Sequence, residues 1–170
     1  KLMKRGNTAK QTYDLIDRIK SKIPDIALRT TILVGHPGET DEDFNELLDF
    51  VKYAKFDRLG VFTYSEEENT HSAKNYKDSI PFSIKQSRMD EMMEVQRKVS
   101  NELNNQKTGK IYKTIIDRHE GDYYIGRTEY DSPEVDNEVI ISSEKKLKIG
   151  SFYNIRIVKA DDFDLYGKIE

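Results

Sequence analysis

A chain of 170 residues with a formal charge of −3 and 36% hydrophobic residues is long enough for one large or two small domains around a real core. That charge gives no overall pull toward nucleic acid or anionic lipid. With no cysteine and three scattered histidines, the chain excludes disulfides, thiolate zinc sites and iron–sulfur ligation by its own side chains.

The apolar runs are too short to span a membrane, and Lys1-Leu2-Met3-Lys4-Arg5 lacks the apolar core of a signal peptide. Thr8 opens a helix in which Tyr13, Ile16, Ile19 and Ile23 recur at three- or four-residue steps, and Pro24 ends it. Residues 27–35 follow as a strand, and its run from Thr30 to Val34 predicts burial on both faces, as in a parallel sheet. Gly35, Pro37 and Gly38 form a corner, and Thr40 caps the next helix with Asp43 three residues on. That helix, from Asp41 to about Lys55, carries Phe44, Leu47, Leu48, Val51 and Ala54 on one face. Residues 59–64 read as a second strand. Short links between these elements imply a βαβ crossover with parallel strands. Two such strands are not a stable sheet alone, so this segment is expected to pack on something outside the chain, or the chain is a fragment.

Residues 66–79 are polar and read as a long surface loop. Residues 83 to about 106 read as one helix, with Met89, Met92, Val99 and Leu103 on its apolar side and Gly109 as a C-cap. From Lys110 the period becomes two. Residues 111–116, 123–128, 139–141, 152–158 and 164–169 read as five short strands, with a hairpin turn at His119-Glu120-Gly121-Asp122. Five strands in so short a span suggest a small closed barrel of OB-like kind. The fold class is therefore α+β in two parts, divided as residues 1–80, a linker helix 81–107 and a barrel 108–170.

Met3-Lys4-Arg5-Gly6-Asn7-Thr8, Arg29-Thr30-Thr31-Ile32-Leu33-Val34-Gly35-His36-Pro37-Gly38-Glu39-Thr40 and Val61-Phe62-Thr63-Tyr64-Ser65, in that order, resemble the later part of a radical SAM methylthiotransferase. The final barrel resembles the TRAM domain of those enzymes. The run from Gly126 through Arg127, Glu129, Asp131, Glu134 and Asp136 is similar to the RimO type, which modifies an aspartate of small-subunit ribosomal protein twelve. The resemblance implies a carboxy-terminal fragment of a cytoplasmic enzyme, with a partial radical SAM α/β (TIM-like) barrel before the TRAM domain. It also implies S-adenosylmethionine and two [4Fe–4S] clusters as cofactors, the cluster cysteines lying in a preceding part of the polypeptide. This chain alone should then be inactive. The adenosyl radical would take a hydrogen from the aspartate β-carbon, one cluster would deliver sulfur and a second S-adenosylmethionine the methyl group.

For S-adenosylmethionine the resemblance points to Arg29, Ile32, Val34, Gly35, Phe62 and Tyr64. Arg29 would fork onto the cofactor carboxylate or, equally, pair internally with Glu39 or another barrel carboxylate. Ile32 and Phe62 have a plain alternative as core. His36 replaces the phenylalanine common at this corner, where a loop histidine is more often solvated or hydrogen-bonded than catalytic. In the barrel, residues 107–170 hold 11 Lys plus Arg against 13 Asp plus Glu, whereas a domain that clamps RNA should be basic. Arg127, Glu129, Asp131, Glu134 and Asp136 are therefore candidates for docking a basic ribosomal protein by charge complementarity, the alternative being a solvated acidic hairpin. Asn137 stands where a glycine is often found. A tRNA-modifying sister class and a non-catalytic OB-like RNA- or protein-binding module are the competing readings.

Overall fold

The computed structural model describes residues 6–170, so residues 3–5 of the opening motif lie outside it. Among the described residues the order is α1 (Ala9–Lys22), β1 (Arg29–Val34), α2 (Asp41–Ala54), β2 (Arg58–Thr63), α3 (His71–Asn75), α4 (Phe82–Asn105), β3 (Ile111–Glu120), β4 (Tyr123–Thr128), β5 (Val139–Ser142), β6 (Phe152–Ala160) and β7 (Leu165–Ile169). They form two compact units, one up to residue 96 and one from residue 97 on, and the division falls inside α4. No helix of the described residues is long and apolar enough to cross a membrane.

In the first unit, α1 and α2 start at reciprocal caps. Thr8 Oγ1 accepts from Gln11 N while Gln11 Oε1 accepts from Thr8 N, and Thr40 and Asp43 repeat the exchange at α2; such a cap stabilises a helix by about 1 kcal/mol. β1 and β2 pair in parallel, with Ile32 opposite Val61 and Leu33 opposite Phe62. Ile32, Val34, Leu59 and Val61 pack on Phe44, Leu48 and Val51 of α2 and on Met92 of α4.

The expectation of a strand buried on both faces is corrected here. Burial along β1 alternates, because the helices cover one face only and leave Thr31 and Phe62 on the other exposed. β-Branched residues suit any pleated strand, so their presence did not measure burial. The predicted loop at 66–79 also contains α3, which starts where Thr70 Oγ1 accepts from Ala73 N at 3.2 Å. Five residues are too few to show a helical period.

In the second unit five strands close in the order β3-β4-β5-β7-β6, with β3 antiparallel to β6 at the closure and β5 parallel to β7. Ile116, Val139, Ile141, Ile155, Ile157 and Leu165 fill the interior. Gly126 is required where β4 crosses β3, since a Cβ there would lie 2.3 Å from Ile115 O. Gly109 does not cap α4: the helix ends at Asn105, and Gly109 N donates to Ile157 O at 2.8 Å, joining the barrel instead. The last turns of α4 hold the β6–β7 turn through Arg97 to Asp162 (2.6 Å), Asn101 to Asp162 (2.8 Å) and the buried Asn104 amide to Asp161 O (3.2 Å).

Candidate functional site

The carboxyl ends of β1 and β2 form a rim whose geometry begins at Gly35. Its φ of +76° is open to glycine at little cost, and its N–H donates to Glu39 Oε1 at 2.9 Å. The same Glu39 oxygen accepts from Arg88 Nη1 at 2.7 Å, while Arg88 Nη2 reaches Asp41 at 2.6 Å. Burial lowers the Arg88 affinity for its proton, but Asp41 and Glu39 outweigh this and its pKa is raised. The buried Lys85 lies beside it on α4, and Nζ donates to Tyr64 O at 3.0 Å and to Asp78 Oδ2 at 2.6 Å. Lys85 thus ties the end of β2 to the segment after α3.

Above this base His36 is buried, its ring 5.1 Å from that of Tyr64. Pro37 O, 3.0 Å from Nδ1, can only accept, so Nδ1 carries a proton, and in the neutral ring Nε2 accepts from the Ser72 hydroxyl at 2.7 Å. The neighbouring Tyr64 hydroxyl is buried without an aligned hydrogen-bond partner. Burial raises its pKa, and the acidic residues Glu66 and Asp78 add to this against a small opposing effect of Ser72. Leu33, His36, Thr63, Tyr64, Thr70 and Ser72 line a cleft of about 350 Å³ here. A buried, unpaired hydroxyl in such a cleft is a donor that a bound molecule can satisfy.

The predicted cofactor residues are only partly brought together. Gly35 and Tyr64 meet at the rim. Ile32 and Val34 turn their side chains into the helix-facing core, so only their backbone is available there. Phe62 is 62% exposed on the uncovered face, which corrects the alternative that packing explains it. Arg29 is exposed rather than buried and opens β1, roughly 20 Å from Gly35 at about 3.3 Å per residue. The expected Arg29–Glu39 pair is not among the contacts of Glu39; Arg88 takes that place. Lys85 and Arg88 were missed, yet they sit in register with Met92 and Gln96 at three- or four-residue steps. Two cations on the buried seam of a helix were the available signal.

On the barrel, the acidic run is less free than its composition implies. Asp131 is buried and accepts from Thr128 Oγ1 at 2.6 Å, which fixes the turn after β4. Asp136 accepts from Ser132 N at 2.7 Å, and Glu138 takes both Arg118 terminal nitrogens at 2.7 and 2.9 Å. Arg127 Nε lies 3.1 Å from Asp117. Glu129 and Glu134 remain exposed. Of the candidate docking carboxylates, Glu129 and Glu134 are thus left exposed, while Asp131 and Asp136 hold hydroxyl and backbone donors.

Residues 108–169 match the TRAM domain family and residues 1–51 the radical SAM superfamily. The chain is 57% identical over 170 residues to the ribosomal protein uS12 methylthiotransferase RimO of Bacteroides thetaiotaomicron, covering 99% of this chain and 39% of that protein. It is 52% identical to the proteins of the same name from Christiangramia forsetii, over 99% of this chain and 37% of the relative, and Porphyromonas gingivalis, over 98% and 39%. The chain therefore spans about two fifths of the length of these relatives.

Proposed function

We propose that this chain, whose sequence groups with the radical SAM methylthiotransferases of the RimO type, serves within a longer enzyme that adds a methylthio group to the aspartate β-carbon of ribosomal protein uS12. The observation that carries this reading is the similarity along 99% of the chain to a protein of that name. In this reading the first unit supplies part of the cofactor pocket and the TRAM barrel docks the protein substrate.

The residues fit one implied cofactor and not the other. An iron–sulfur cluster needs thiolates, and a chain without cysteine holds none of its ligands. S-Adenosylmethionine has acceptor atoms for the buried Tyr64 hydroxyl and an apolar surface for the exposed Phe62. When bound it would supply the methyl group and the hydrogen-abstracting radical. Tyr64 would orient it, Gly35 packed against Lys85 would brace the rim, and His36 and Ser72 would hold the corner that shuts out water.

The barrel holds 11 basic against 13 acidic residues between 107 and 170, which supports a basic protein substrate over RNA. The test is binding of the 170-residue chain to uS12 and to tRNA at low ionic strength. Tighter binding to uS12 is expected; tighter binding to tRNA overturns the reading in favour of the tRNA-modifying class.

A further inference from the structure

The polar cleft on the barrel has unpaired donors that docking by charge alone does not use. It measures about 270 Å³ and lies between β3, β4 and the loop before β5. Three of its carboxylates are engaged within the fold: Glu138 by Arg118, Asp117 by Arg127 and Asp136 by the Ser132 N–H. Its donors are less completely used. Arg118 is spent on Glu138, and Arg127 Nε faces Asp117 at 3.1 Å without hydrogen-bond alignment. Among the described residues, by contrast, Asn137 Nδ2 is buried with no acceptor and the Arg127 terminal nitrogens make no hydrogen bond. Buried donors left unpaired are costly, so this cleft is built to receive an acceptor.

The charge of the lining selects which acceptor. Arg118 and Arg127 face Asp117, Glu134, Asp136 and Glu138, so two cations stand against four anions. A phosphate or free carboxylate is repelled by that balance, whereas a neutral carbonyl flanked by cations is attracted. We infer that the cleft receives a main-chain carbonyl of an extended lysine- or arginine-rich peptide, which accepts hydrogen bonds from Arg127 and Asn137, with the peptide's cations on Glu129 and Glu134. This rests on the docking reading above and gives it a specific contact.

The test is fluorescence polarisation of the full chain with a labelled peptide of alternating lysine and glycine, beside a labelled single-stranded RNA. Asn137→Asp and Arg127→Gln each make the domain more negative, so attraction by charge alone predicts tighter peptide binding. Carbonyl recognition predicts binding weaker by roughly fivefold, the scale of one lost hydrogen bond. In a ¹⁵N spectrum the Asn137 side-chain amide signals should also move when peptide is added to the unaltered chain. If both variants bind as well or better, the carbonyl site is overturned while charge-driven docking stands. If the unaltered chain ignores the peptide or prefers the RNA, both fail. Should Arg127→Gln not fold, the near-isosteric Asn137→Asp decides alone.

Discussion

Lys85 packs so closely on Gly35 that a Cβ at position 35 would lie 2.5 Å from the lysine Cγ. The glycine is therefore required twice, by its φ of +76° and by its neighbour. Gly35→Ala is expected to destabilise the first unit by about 2 kcal/mol, combining backbone strain with overpacking. Urea unfolding followed by circular dichroism measures it, and an unchanged midpoint would contradict the crowding.

Lys85→Met keeps the packing on Gly35 and removes the ammonium from Tyr64 O and Asp78. Breaking a fully buried pair costs 3–5 kcal/mol in general. With Asp78 27% exposed, about 2 kcal/mol is the expected loss. Adding Asp78→Asn should recover part of it, because the stranded charge is then gone. A double variant no more stable than the single one would show that the pair is not the source.

Ser72 is the tie between α3 and the glycine corner. Ser72→Ala leaves His36 Nε2 without its donor and is expected to cost about 1 kcal/mol. The loss should be local: amides of Lys74 and Tyr76, which bond to Thr70 and Ser72 carbonyls, should exchange faster with deuterium while the barrel amides do not change. Equal exchange at α3 in both proteins would refute the tie.

The barrel should weaken in acid through Asp161. Burial alone would raise its carboxyl pKa, but N–H groups of Asp164 and Phe163 and the Tyr166 hydroxyl hold it below the ordinary value. A group lowered in the folded state stabilises fully above its unfolded pKa, near 3.9, and loses that contribution as pH falls through the folded one. Denaturation followed from about pH 5 down to about pH 2 should thus show a fall that Asp161→Asn flattens. A parallel pH profile for the variant would assign the acid sensitivity elsewhere.

What could be read in advance followed physical range. The helix caps at Thr8 and Thr40 are local, three residues wide, and matched. The five strands were legible because alternation and turn chemistry are local too, although β3 runs on to Glu120 beyond the apolar run that marked it. Arg29 and Phe62 were misjudged because burial depends on which elements cover a strand, and nothing within the strand states that. The roles of Lys85 and Asp131 depend on partners 21 and three residues away respectively. The second was within reach of a turn argument, but charge counting treated every carboxylate alike.

A sheet that closes on itself offers no row of unpaired amides to a stranger, and the second unit is built that way. The first is not: β1 and β2 each keep one flank without a strand partner among the described residues, next to a bare phenylalanine. Backbone groups so placed are templates for further strands. A further strand, whether from a rightful neighbour or from an unwanted copy in concentrated solution, is therefore expected to pair at β1 or β2 and not with the closed barrel.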